Sequence, residues 1–190
     1  MRYLRLIPGF CALLLVIAAA KPLRAFDDWL PITPEDQKIT AESARGADAI
    51  ILYHEEISDD NTRHHFVYIR IKVLTEKGKS HADVEIPYDA ANVGISDLRA
   101  RTVAPDGTVT PFTGKAFDTT IIKGHGISVH AKNFTLPNVQ VGSIIEWKYT
   151  EFWDDFLHGA HWTVQEDLPQ KHAKFPDWHG GVHRGRPRWS

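Results

Sequence analysis

The stretch Arg63 to Leu74 reads RHHFVYIRIKVL, and the fold class is decided there. Val67, Ile69, Ile71 and Val73 fall on one side of an extended chain, with His64, Phe66, Tyr68, Arg70 and Lys72 on the other. Successive side chains of a pleated backbone point to opposite faces, so a period of two marks a β-strand. Downstream, His81 to Ile86 alternates again, with Ala82, Val84 and Ile86 inward against His81, Asp83 and Glu85. Upstream, Ala49 to Glu56 is an apolar run that turns polar at its end.

Turn residues separate these runs. Asp59-Asp60-Asn61 and Lys77-Gly78 are two such breaks, and Pro105-Asp106-Gly107 joins Leu98–Ala104 to Thr108–Phe112 as a hairpin. Further strands are predicted at Phe117–Ile122, Ile127–Phe134, Ile144–Phe152 and Trp162–Glu166. A helical period is almost absent. Thr33-Pro34-Glu35-Asp36 supplies a cap, a first-position proline and acids at the positive end of a helix of one or two turns. No internal repeat is visible. The expectation is an all-β, antiparallel β-sandwich-like domain with one short N-terminal helix.

The 190 residues allow one domain with a sizeable core. Their net charge of −2 hides a partition. Residues 1–25 carry four basic groups and no acid; residues 171–190 carry five basic groups and one acid. Residues 26–170 hold 13 Lys and Arg against 23 Asp and Glu. So acidic a body argues against nucleic acid as a partner, because phosphate neutralisation needs a basic surface.

Arg2 and Arg5 precede the apolar run Leu6 to Ala20, whose unbroken part, Phe10 to Ala20, is shorter than a membrane span. Residues 1–25 therefore read as a secretory signal peptide, with cleavage expected after Ala25 and a membrane role only if it stays uncleaved. An exported chain, periplasmic or secreted, is expected. Its sole cysteine, Cys11, lies inside that signal. The processed chain would have no disulfide, thiolate nucleophile or Cys-based metal site, and its core alone must hold it together. Residues 26–48 read as a lead-in carrying the helix, 49–175 as the sandwich, and 176–190 as a disordered Arg/Gly-rich tail.

No enzyme signature emerges, and no catalytic residue is assigned. The eleven histidines form no H-E-x-x-H or comparable frame, and they read as solvated or hydrogen-bonded surface groups. His64 and His65 are adjacent on a strand, so they point to opposite faces and cannot chelate one ion together. Asp154-Asp155 and Glu166-Asp167 are neighbours in sequence, which does not supply the facing carboxyls of a glycosidase. Gly142-Ser143-Ile144 lacks the frame of a nucleophile elbow. Neither a cofactor nor a metal site is expected. Among the clustered aromatics, Trp147 and Tyr149 share a face with Ile145 and read as core. Trp153 and Phe156, beside Asp154-Asp155, read as an exposed binding surface, with His158 and His161 in the loop that follows.

Four segments together resemble a known family: Thr75 to Asp89 (TEKGKSHADVEIPYD), Ala100 to Gly107 (ARTVAPDG), Pro137 to Tyr149 (PNVQVGSIIEWKY) and Trp162 to Pro169 (WTVQEDLP). In that order and spacing they are similar to the domain of unknown function that precedes transglutaminase-like domains in exported bacterial proteins. The resemblance covers about residues 29 to 175 and implies a β-sandwich-like module that supports its neighbour without catalysis. It carries no catalytic residues over. No transglutaminase-like Cys-His-Asp constellation follows Phe175, which suggests that the tail is out-of-frame translation or a truncated gene remnant. The resulting expectation is an exported, non-enzymatic module binding a transglutaminase-like domain, a peptide or a cell-envelope polymer. The alternatives are a hydrolase of unknown class acting through the loop carboxylates or histidines around Asp154 to His161, and a periplasmic metal-binding protein.

Overall fold

A computed structural model describes residues 29–59, 61–124, 127–153, 168–175 and 177–178. The first element among the described residues is helix α1 (Pro34–Lys38), followed by strands β1 (Ala49–Asp59) and β2 (His64–Val73). A 3-10 helix (Lys77–Ala82) leads into β3 (Asp83–Asp89), β4 (Val93–Val103) and β5 (Val109–Pro111). Then come β6 (Phe117–Gly124), β7 (Ile127–Thr135), β8 (Ile144–Trp153), β9 (Ala173–Lys174) and β10 (Asp177–Trp178). The larger sheet has the order β10-β1-β2-β8-β4-β5, with β9 also on β1; the smaller sheet is β3-β7-β6. The all-β sandwich expected from the period-two runs is the observed architecture.

Local chemistry explains the helix and the hairpin. The Thr33 side chain accepts from the Asp36 amide at 3.1 Å, and the Asp36 carboxylate accepts from the Thr33 amide at 3.2 Å. That reciprocal box satisfies two otherwise orphaned donors. Between β4 and β5, the Gly107 amide donates to the Ala104 carbonyl and the Ala104 amide to that of Thr108. The hairpin therefore forms where Pro105-Asp106-Gly107 predicts it.

The core lies between the sheets. Val67, Ile71, Ile145, Trp147 and Tyr149 of the larger sheet share one cluster with Val84, Ile86, Phe134 and Leu136. Each such side chain contributes about 1.5–3 kcal/mol on full burial. On the opposite face of the larger sheet, Leu52, Val103 and Ile144 pack with Ile32 and Ile39, which flank α1.

Four differences from the sequence reading have physical causes. First, the run from His81 is not strand at its start, because residues 77–82 wind into the 3-10 helix. Gly78 makes this turn possible by lying against the backbone: a Cβ there would stand 2.0 Å from the Asp48 carbonyl oxygen. Second, β2 is buried on both faces, with Tyr68, Arg70 and Lys72 as enclosed as Val67 and Ile71. A central strand is covered on both sides, and its polar half survives there by pairing internally.

Third, β1 contains a bulge between Ile51 and Tyr53. Ile51 opposes Ile71 and His54 opposes Ile69, so the extra residue moves His54, Glu56 and Ser58 onto the same face as Ala49 and Ile51. Fourth, Asp177–Trp178 in the tail expected to be disordered form β10. Gln170, Ala173, Lys174, Asp177 and Trp178 pair with Ile51, His54, Glu55, Ser58 and Asp59 at one constant register. Bridge, β9 and β10 are thus one interrupted parallel strap along β1. Main-chain pairing to an open edge lets this segment join the sheet although its side chains at 171–174 are exposed. The predicted strand Trp162–Glu166, the signal at 1–25 and residues 179–190 lie outside the described residues.

Candidate functional site

The two sheets leave a cleft of about 270 Å³ between them. Ile51, Ile71 and Trp147 line its floor, and Ser80, His81 and Glu85 stand on the opposite side. A second hollow of about 330 Å³ shares Ser80, His81 and Leu168 and extends to Asp48 and Lys77. Asp48 organises that rim. Its carbonyl accepts from the Leu74 and Thr75 amides, and its carboxylate accepts from Thr75 Oγ1 at 2.6 Å. Lys77 Nζ lies 2.9 Å from the other carboxylate oxygen. The Thr75 hydroxyl, then Lys77, hold the Asp48 carboxyl below the usual range, and Asp48 in turn raises Lys77. An apolar floor with a polar rim suits a single apolar side chain of a bound segment, and the Ser80 hydroxyl on that rim donates to the Lys77 carbonyl rather than to His81.

Farther along the same face of the larger sheet runs a buried polar chain. Ser58 Oγ is 2.7 Å from His65 Nδ1, and His65 Nε2 is 3.5 Å from Glu56 Oε2. His54 Nε2 stands 2.7 Å from Glu56 Oε1, close enough for an ion pair but not aligned as a hydrogen bond. Burial opposes ionisation of Glu56, yet the two imidazoles outweigh it and hold the carboxyl below its ordinary value. Phe175 of the strap meets the His54 ring edge-on, with centroids 5.4 Å apart. The order hydroxyl, imidazole, carboxylate resembles a nucleophile relay. All four side chains are buried, and neither hollow includes them.

The opposite face carries a second network. Glu146, fully buried, accepts from Arg70 Nε, from Arg101 Nε at 2.5 Å and from Tyr68 Oη at 2.8 Å. Lys72 Nζ donates to the Asp36 carbonyl at 2.9 Å, and Lys171 Nζ to the Asp36 carboxylate at 2.8 Å. Such fully committed groups hold α1 and the strap in place.

Trp153 was expected on an exposed binding surface and is instead buried, at 7% exposure. β8 remains paired through position 153, opposite Val93, so its alternation places Trp153 on the face of Ile145 and Trp147. The exposed aromatic at this end is Phe152, which opposes Gly94; a Cβ on Gly94 would lie 2.1 Å from the ring. Phe156, His158 and His161 lie outside the described residues. Trp147 and Tyr149 are core, as read. The histidines assigned to the surface need correction at His54 and His65, which are buried, whereas His64 is exposed. The polar alternation His54-Glu56-Ser58 was the available signal. The bulge that turns it inward has no sequence mark of its own.

No group of three or more His, Cys, Asp or Glu able to hold a metal ion occurs among the described residues. No helix among them is long and apolar enough to cross a membrane. The model of a family described as "Domain of Unknown Function with solved-structure structure (DUF3857)" matches residues 59–177, from the end of β1 into β10. No curated protein matches the chain. One similar solved structure is described as "a putative protease from Parabacteroides distasonis ATCC 8503", with a TM-score of 0.56 and 11% identity. The likeness covers 68% of this chain and 28% of that one, and at this identity it shows the fold alone.

Proposed function

The chain belongs to the DUF3857 family, a domain of unknown function, and from that membership we propose that it is a non-catalytic β-sandwich module supporting a partner domain. The observation that carries this reading is one of proportion. The shared fold is 28% of the longer chain it resembles, so there it accompanies a larger remainder. The polar groups agree: buried Glu146 is neutralised within the sheet by buried Arg70 and half-buried Arg101 rather than facing an open cavity. The partner proposed is a transglutaminase-like domain, ahead of a free peptide or a cell-envelope polymer. The cleft floored by Ile51, Ile71 and Trp147 would receive one of its apolar side chains. Export through residues 1–25 belongs to the same proposal.

A second reading, hydrolase, is favoured by the spacing of Ser58, His65 and Glu56. One experiment separates them. The purified chain is titrated calorimetrically with a transglutaminase-like domain supplied as a separate polypeptide, and assayed on casein and nitrophenyl esters. Micromolar association without turnover is expected. Absence of binding, or a steady hydrolysis that Ser58→Ala abolishes, overturns the proposal.

A further inference from the structure

We propose that the cleft between the sheets takes an extended, basic segment: one aromatic side chain enters, and a Lys or Arg on each side of it in sequence stays at the mouth. This rests on the reading that the module holds a partner through that cleft, and it names the chemistry of the contact. The floor selects the central residue. Ile51, Ile71 and Trp147 present apolar surface there, and Ile69 and Leu168 continue it. At about 270 Å³ the space exceeds the cavity of about 150 Å³ that holds a benzene ring, so it admits a phenyl side chain whole.

The mouth selects the neighbours. β3 alternates, with Val84 and Ile86 buried and Asp83 and Glu85 exposed. Asp83, Val84 and Glu85 all line the cleft, and no Lys or Arg is among its described lining residues. Asp83 accepts from the Thr135 hydroxyl at 2.6 Å. Neither Asp83 nor Glu85 forms an ion pair among the described residues. The lysines of the adjoining 3-10 helix are already committed, Lys77 to Asp48 at 2.9 Å and Lys79 to Glu76 at 2.6 Å. His81, the other titratable group of the lining, lies within electrostatic reach of Asp48. The cleft therefore carries two uncompensated carboxylates over an apolar floor. Residues 26–170, with 13 Lys and Arg against 23 Asp and Glu, add a field of the same sign.

An extended ligand meets both demands at once. Its side chains alternate as those of β3 do, so when one points to the floor its two neighbours point back towards the mouth. Asp83 and Glu85 are two residues apart, about 7 Å along a strand, and the residues flanking the buried ring have that same spacing. A cation–apolar–cation triplet thus matches the acid–apolar–acid order Asp83-Val84-Glu85. A neutral segment would leave both carboxylates uncompensated, and an acidic one would set like charges against them.

The probe is a blocked heptapeptide, Gly-Ser-Lys-Phe-Lys-Ser-Gly, titrated into the full chain in low salt and followed by proton–nitrogen correlation spectra. A saturable shift of the Trp147 indole signal, identified with Trp147→Phe, is expected, with a dissociation constant of about 1 mM. Changing the peptide's Phe to Ala, or Glu85→Lys in the chain, should each weaken binding by about tenfold. Glu85 is exposed, so that variant reads the mouth without disturbing the core. Equal binding of a peptide with Ser in place of both Lys overturns the inference. So does a Trp147 signal that never moves, or one that moves with protein concentration alone, which would put a second copy in the cleft. The inference and the module reading fail separately. A transglutaminase-like domain that binds the native chain and the Glu85→Lys chain equally well sinks the inference and spares the module. A peptide that shifts Trp147 while no such domain binds upholds the inference and sinks the module reading.

Discussion

Along β1 the chain lays its own residues 169–175 and 177–178 as a parallel strap, whereas along β6 no described segment does the same. The strap is held chiefly through the backbone. Ile51 donates to the Pro169 carbonyl at 2.9 Å, Lys171 to Ile51 at 2.8 Å and His54 to His172 at 3.0 Å. Its side chains at 171–174 are exposed. β6 has the reverse endowment: exposed apolar side chains at Phe117 and Ile121, and among the described residues no strand on its outer side. One edge is closed chiefly by main chain, with Phe175 set against His54, and the other has exposed apolar side chains and no described strand beside it. Edge protection and hydrophobic burial are separate requirements, met here by separate devices.

Removing the strap should have the largest effect. A chain ending at Asp167 loses about half a dozen backbone hydrogen bonds, each worth about 0.5–1.5 kcal/mol net, for a total of about 3–9 kcal/mol. Urea unfolding measures it, and an unchanged midpoint would show that β1 needs no cover. The next effect is acid sensitivity beneath the strap. The Glu56 carboxyl ionises more readily folded than unfolded. Its contribution is therefore complete above the unfolded value of about 4.3 and is withdrawn as pH falls through the folded value. Urea midpoints should drop more steeply from pH 5 to pH 3 for the native chain than for Glu56→Gln; parallel profiles would remove the polar chain from the stability of β1. The smallest effect belongs to the bare edge. Phe117→Ser, measured at low protein concentration, should change stability by no more than about 0.5 kcal/mol, because an exposed side chain has little to lose. A larger loss would mean that β6 is already covered within one chain.

Much of this arrangement was readable before any coordinates. The helix cap at Thr33, the hairpin at Pro105-Asp106-Gly107 and the inward set Val84 and Ile86 follow from local chemistry and alternation. The polar chain His54-Glu56-His65-Ser58 did not, because one bulge after Ile51 reverses which half of β1 faces the core. Nor did the burial of Trp153, whose neighbours Asp154-Asp155 suggested solvent while β8 stayed paired to its last residue. The cleft was invisible for a different reason: Ile51 and Trp147 come from the larger sheet, and His81 from the 3-10 helix that leads into the smaller one.

Alternation, turn residues and a helix cap act over a few neighbouring positions, so the order of residues alone was enough to specify strands, turns and an all-β class. Which face of β1 is inner, which strand edge is closed, and which charges neutralise each other depend on partners far apart in the chain. Glu146 illustrates the divide: as a letter it is one more acid in an acidic body, and only the meeting of β2, β4 and β8 seats it between two arginines. Burial is a property of what covers a residue, and that cover exists only after the sheets have assembled.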